Sequence, residues 1–276
     1  MQNALRTMVS QLAWKLAPRH MHDRHLAQDK FAECEEGIIG SIVDRHRGSI
    51  DVGANLGRYT IRLARCTDFV IAFEPHVQVA KLLRDLVRRE RLDNVTIIEM
   101  AASAMPDRAL PLFLPSKGAG CAGHSTLEGA AQSGAVAEAE VRTATLDQFA
   151  DRDVGFVKID VEGHEYDVLR GAERLIEANE PMFMIEIENL FALDQIARVR
   201  EFMGKRGYSG SYIYNGRLHG IDGFDPRLQD RSALDWSRPR REMEFVNNFF
   251  FVREGSSSEQ FAERMAAALA APSNSY

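Results

Sequence analysis

Between residues 49 and 206 short apolar runs alternate with amphipathic stretches, and this alternation narrows the fold more than any other feature. The runs at 49–53, 69–73 (FVIAF), 95–100 (VTIIEM), 155–161 (GFVKIDV) and 181–188 (PMFMIEIE) predict strands, FVIAF reading as one buried on both faces. Leu56 to Arg65, His76 to Arg91, His164 to Ala178 and Asp194 to Arg206 follow helical spacing. In the second of these, Val79, Leu82, Leu83, Leu86 and Val87 share one side. Strands alternating with helices imply a mostly parallel sheet covered on both faces. Further short strands are expected near Leu110–Leu114 and Ala139–Arg142, with a looser Gly-, Ser- and Ala-rich segment between them. Asn215-Gly216 signals a type I′ hairpin, and 244–252 (EFVNNFFFV) supplies a last strand, so an antiparallel addition at one edge is expected.

Composition bounds what such a domain can do. The 276 residues are 45% hydrophobic and 27% charged, enough for a sizeable core without disulfides or metals. A formal charge of -6 gives no global field for nucleic acid, which argues against it as a partner. Cys34, Cys66 and Cys121 are far apart and form no CxxC pair, as expected of a reduced, cytoplasmic setting. No run is apolar enough to span a bilayer, and the N-terminus lacks a signal-peptide core.

Three regions are expected. Residues 1–45 form a helical extension, with Leu5, Met8, Val9, Leu12 and Leu16 at helical spacing among Arg6, Lys15, Arg19 and Arg24. Such a helix packs on its own domain or makes weak contact with an anionic membrane surface. Residues 46–254 form the main domain. Residues 255–276 read as a Ser-rich linker, an Ala-rich helix and a frayed tail.

The stretch IDVGANLGRYT (50–60) joins the first strand to the first helix, but with Asn55 where a dinucleotide loop would carry a glycine. Gly53 and Gly57 allow a sharp turn and close backbone approach, and Asn55 tolerates the left-handed conformation. Asp51 at the strand end can reach an ammonium group. Glu74, in AFEP after the second strand, can accept hydrogen bonds from both ribose hydroxyls and disfavours a 2′-phosphate. A pyrophosphate asks for a denser glycine loop at the helix N-terminus. An acid before the turn and an asparagine inside it suit the methionine tail of S-adenosylmethionine better than NAD.

The second turn, KIDVEGHEY (158–166), gathers three carboxylates, a lysine and a histidine at a strand's carboxyl end. With it, DVGANLGRYT, AFEP, VTIIEMAAS, ATLDQF, VKIDVEGHEYDVLRGA and PMFMIEIE stand in the order of the FkbM family of S-adenosylmethionine-dependent methyltransferases, and the chain resembles that family over roughly residues 49–190. The resemblance implies a class I, Rossmann-like fold: a seven-stranded mostly parallel sheet with an antiparallel C-terminal strand. It implies S-adenosylmethionine as cofactor and a hydroxyl acceptor on a sugar or glycan, a polyketide or another secondary metabolite. By motif, Asp51, Gly53, Asn55 and Gly57 would line the methionine part and Glu74 the ribose, with Glu99, Ala101 and Ala102 near the adenine. Asp160 would face the transferred methyl group. Residues 1–45 and 191–276 match no motif and are expected to shape the acceptor site.

Removing a proton from an alcohol as the new bond forms calls for a base within hydrogen-bond reach. Asp160, His164 and His124 are the candidates, with Glu162 behind them; His124 lies in a Gly-rich segment suited to a lid. Glu162, Glu165, Glu186 and Glu188 raise the question of a divalent cation. Pairing with Lys158 or Arg170 is the preferred reading, so no metal site is assigned. Tyr208, Tyr212 and Tyr214 suit stacking on a sugar and edge-strand packing equally. A nicotinamide oxidoreductase on the same sheet and a non-catalytic binding protein are the alternatives to methyl transfer.

Overall fold

The computed structural model describes residues 33–114, 136–188, 194–233 and 244–271, with single positions at 17, 20 and 127. The basic N-terminal helix, His124 and the tail beyond 271 lie outside the described residues.

Eight strands form the main sheet: β1 (Gly48–Val52), β2 (Val70–Phe73), β3 (Val95–Ile98), β7 (Val154–Ile159), β8 (Met182–Glu186), β9 (Tyr208–Tyr214), β10 (Arg217–Gly220) and β11 (Asn248–Arg253). Their order is β10-β9-β11-β8-β7-β1-β2-β3. The pairs from β8 across to β3 are parallel, whereas β11 runs antiparallel between β8 and β9. The expected seven strands are present. The eighth, β10, is the returning arm of the Asn215-Gly216 hairpin, whose two residues hold φ of 49° and 66° as a type I′ turn requires. A second sheet joins β4 (Ala101–Ala102), β6 (Val136–Ala144) and β5 (Ala109–Leu114) in that order.

Helices cover both faces. On one lie α1 (Cys34–Ile42), α2 (Arg58–Ala64), α3 (Val77–Arg89) and α7 (Ser256–Ala270). On the other lie α4 (Glu165–Arg170), α5 (Glu173–Asn179) and α6 (Gln195–Gly204). The period-two alternation of the strands assigns residues to these layers. Ile50, Val52, Val157 and Ile159 face the α4–α6 side. Phe156 and Met184 face the opposite side, with Ile38, Ile39, Tyr59 and Leu63. The triple phenylalanine obeys the same rule: Phe249 and Phe251 enter the first core and Phe250 the second, all at most 1% exposed.

Two expectations about element ends change. The single helix from His164 to Ala178 is two helices, broken at Gly171. A Cβ at Gly171 would lie 2.1 Å from the carbonyl oxygen of Ser103, so the break lets the chain press against the segment after β4. The serines expected as a linker form the first turn of α7, because that helix has a face to bury: Phe261 and Met265 sit in the second core with Phe250. Helix α1 buries Ile38, Ile39 and Ile42 in that same core.

Truncating Phe250 to alanine should cost about 3–5 kcal/mol of stability through lost burial and a cavity between β11 and α7. Urea unfolding should show a lower midpoint with an unchanged slope.

Candidate active site

Parallel strands deliver their side chains to one edge of the sheet, and the sequence motifs meet at that carboxyl edge. Gly53 leaves β1 with φ +79°, and a Cβ there would stand 1.8 Å from the main-chain oxygen of Asp160. Only glycine lets the two turns touch. Gly57, at φ +88°, lies against Leu83, where a Cβ would meet Cδ1 at 2.5 Å. Asn55 takes φ 47°, the left-handed role read for it from the sequence. Its main-chain N–H donates to Glu74 Oε2 at 2.9 Å, and the His76 N–H donates to Glu74 Oε1 at 2.8 Å. Glu74 therefore braces the loop from the end of β2. Burial pushes its carboxyl up to about 7 against those two donors. Each oxygen keeps a second lone pair able to accept a ribose hydroxyl.

Beside this loop a polar row replaces core side chains on the α1–α2 face. Asp51 and Lys158 are register partners on β1 and β7. Asp51 is 1% exposed, inside the strand rather than at its tip. Its Oδ2 accepts from Thr60 Oγ1 at 2.6 Å, while Oδ1 is buried with no partner. Burial raises its pKa; the Lys158 charge and the Thr60 hydroxyl pull it back. Lys158 is 2% exposed, donates from Nζ to Asp160 Oδ2 at 2.9 Å, and lies 4.7 Å from the Tyr59 ring centroid. Tyr59 in turn donates to Glu33 Oε2 at 3.0 Å, as does Asn248 Nδ2. Asp160 is partly exposed and keeps Oδ1 clear of the lysine bond.

The other expected residues are held by partners of their own. His164 is buried, and its Nε2 lies 2.9 Å from Ser103 Oγ, which ties the second turn to the segment after β4. It does not face solvent. Glu99 pairs with Arg84 on α3. Ala101 and Ala102 are buried in β4, paired with Thr143 and Ala144. Tyr208 and Tyr212 are buried, and Tyr212 stacks on His219 at 5.5 Å, so these rings are occupied by edge-strand packing.

The family description "Methyltransferase FkbM domain" matches residues 51–209, more than half of the chain. The chain belongs to this family. Its fold is that of class I methyltransferases, with the two motif turns side by side at the carboxyl edge. No curated protein matches the chain in sequence. Among solved structures it is similar to methyltransferase FkbM from Methylobacillus flagellatus KT, at 14% identity over 87% of this chain and 60% of that one, TM-score 0.47. It thus spans 60% of that protein's length. A S-adenosylmethionine-dependent O-methyltransferase from Thermotoga maritima shares 14% identity over 79% and 64%, TM-score 0.41. An rRNA methylase from Streptococcus thermophilus shares 12% over 79% and 91%, TM-score 0.42.

In this FkbM-family site several residues were not singled out from the sequence. Asn247 Nδ2 donates to both Glu186 and Glu188, and Glu188 also pairs with Arg231. Arg170 pairs with Asp167 instead of these glutamates. Burial, then the Asp160 charge, pushes Glu186 well above the usual carboxylate range. Among the described residues no cluster of three or more His, Cys, Asp or Glu is placed to hold a metal ion. No helix among them is long and apolar enough to cross a membrane. Gln195 closes the second turn: its Nε2 donates to Gly163 O at 3.0 Å and to Glu165 Oε2 at 2.9 Å, while the Gly163 N–H donates to Glu165 Oε1 at 2.8 Å. This clamp holds the successive positive φ angles of Glu162 (51°) and Gly163 (102°). The one textual signal was an acid two residues beyond a glycine; its amide partner lies thirty residues away.

Burial raises Glu165 from an ordinary 4.5 to about 7. Its contribution to stability is therefore greatest below the ordinary value and is lost as pH rises through 7. Between about pH 5 and pH 8 the wild type should lose roughly 3 kcal/mol that Glu165→Gln does not lose. Urea unfolding of both proteins at the two pH values reads the difference; a gap that stays constant with pH would show that the carboxyl does not titrate in this range.

Proposed function

We propose that this chain is an S-adenosylmethionine-dependent O-methyltransferase acting on a hydroxyl of a sugar or glycan, a polyketide or another secondary metabolite. One observation carries the reading: the Gly53 turn lies directly against Asp160, so a cofactor loop and a partly exposed carboxylate share one edge. The donor set fits this cofactor. Asp51 offers a buried unpartnered oxygen toward an ammonium group, Glu74 offers lone pairs to a ribose, and Gly53 and Gly57 bring no side chain into the turn, with Asn55 left-handed between them. Glu99, Ala101 and Ala102 would border the adenine from the end of β3 and from β4.

When bound, S-adenosylmethionine supplies an electrophilic methyl group on a sulfonium. The protein's task is then to hold the acceptor oxygen in line and take its proton. Asp160 does both in this reading: Oδ2 is fixed by Lys158, and Oδ1 accepts the hydroxyl proton. His124, in the segment between β5 and β6, is a second candidate for contact with the acceptor. His164 acts through the turn it braces. A charge of -6 and a site rich in carboxylates support a small-molecule or glycan acceptor over nucleic acid, and the cytoplasm is the expected setting.

Thermal unfolding with S-adenosylhomocysteine, S-adenosylmethionine, NAD and NADP in parallel separates the rival cofactors, because a ligand of the folded state raises the midpoint. Only the two sulfur ligands should shift it; a shift with NAD would point to an oxidoreductase. Asp160→Asn should lower methyl transfer by about 10²- to 10⁴-fold while S-adenosylhomocysteine still binds. Undiminished transfer would remove Asp160 from the chemistry.

A further inference from the structure

Strand alternation puts Lys158 on a face where Phe156 and Met184 are core residues, so its position calls for an apolar side chain. A buried ammonium is costly unless its charge is answered. Here the answers come from several elements. Asp160 on β7 accepts a hydrogen bond at 2.9 Å, and the ring of Tyr59 on α2 lies 4.7 Å away. Asp51, the register partner on β1, receives the charge through space, while its hydrogen bonds come from Thr60. Glu186 at the end of β8 also faces it. Around these stand Glu33 at the start of α1, Glu74 just after β2, Glu162 of the second turn, and Asn248 of β11.

We infer that Lys158 is the positioning residue that joins the two halves of the site, holding Asp51 ionised for the cofactor's amino group while it fixes Asp160 beside the acceptor. The inference rests on the cofactor reading above. Burial alone drives the lysine toward its neutral form; the carboxylates of Asp160, Asp51 and Glu186 outweigh it and hold the ammonium charged. Without that ammonium, Asp51 would keep its burial and lose its strongest opposing charge. Its proton would then stay on to higher pH, and a protonated Asp51 no longer attracts an ammonium group.

The test is calorimetric titration with S-adenosylhomocysteine from about pH 6 to pH 9, on wild type, Lys158→Met and Lys158→Arg. Lys158→Met should bind more weakly than wild type, by a factor that shrinks as pH rises. Lys158→Arg should keep the wild-type pH dependence, since it keeps the charge. Burial, and to a lesser degree the Asp51 and Asp160 charges, raise Glu74 to about 7, so Lys158→Arg, which leaves those charges answered, is the reference for its share of the pH dependence. Cooperative melting checks each protein at each pH, and Lys158→Gln takes the place of Lys158→Met if that variant does not fold. A loss equal at all pH values would assign Lys158 a packing role, and no loss would assign it none; either overturns the inference and leaves the cofactor reading standing. Wild-type protein that fails to bind S-adenosylhomocysteine would overturn both.

Discussion

The ammonium of Lys158 is the point on which the carboxyl edge of the sheet depends. Its charge reaches carboxylates on β1, β7 and β8 and the Tyr59 ring on α2, and through Tyr59 and Glu33 the network extends to the start of α1 and Asn248 of β11. A buried cation with these neighbours cannot move without stranding a carboxylate, and leaving one partner of such a set unanswered is far costlier than the set itself. The polar row therefore acts as a fixed frame, in which Asp51 and Asp160 are held at a distance set by strand spacing rather than by flexible side chains.

The second constraint is steric. Gly53 and Asp160 touch through backbone, so the first turn cannot shift without displacing the second. Glu74 fixes the first turn through the N–H groups of Asn55 and His76, and Glu165 with Gln195 fixes the other. Ser103 serves both His164 and the break at Gly171, which makes the segment after β4 a strut for the second turn. Preorganisation of this kind is what an in-line transfer asks of a protein, since the acceptor and the leaving sulfur must be held along one axis.

How much of this was legible in the sequence depends on the distance between partners along the chain. The loops from Asp51 to Gly57 and from Lys158 to Glu165 are continuous in sequence, and each glycine and acid in them could be read where it stood. The alternation of apolar runs likewise revealed the layers, and Asn215-Gly216 the hairpin. The pairing of Asp51 with Lys158 could not be read, because β1 and β7 become neighbours only through strand order. The same holds for Glu186 opposite Asn248, and for Glu33, which lies 215 residues from Asn248. His164 had a titratable ring in a suggestive motif, but its partner Ser103 precedes it by 61 residues and could not be read beside it. Gly171 sits inside a plausible helical pattern, and only the approach of Ser103 explains the break.

Perturbed acids alone would not have singled out this edge. Burial also raises the Tyr208 hydroxyl and the Cys66 thiol, and both lie away from the carboxyl edge where the motif turns meet. At the carboxyl edge, Asp51, Glu74 and Glu186 are all raised by burial, and each lies at or near the end of a different strand. A chain selected only for stability would fill those positions with apolar side chains, as it does one turn further into the sheet at Phe156 and Met184. Retaining carboxyls where desolvation opposes their charge trades stability for a site, and the trade is made at the edge where parallel strands present their ends together.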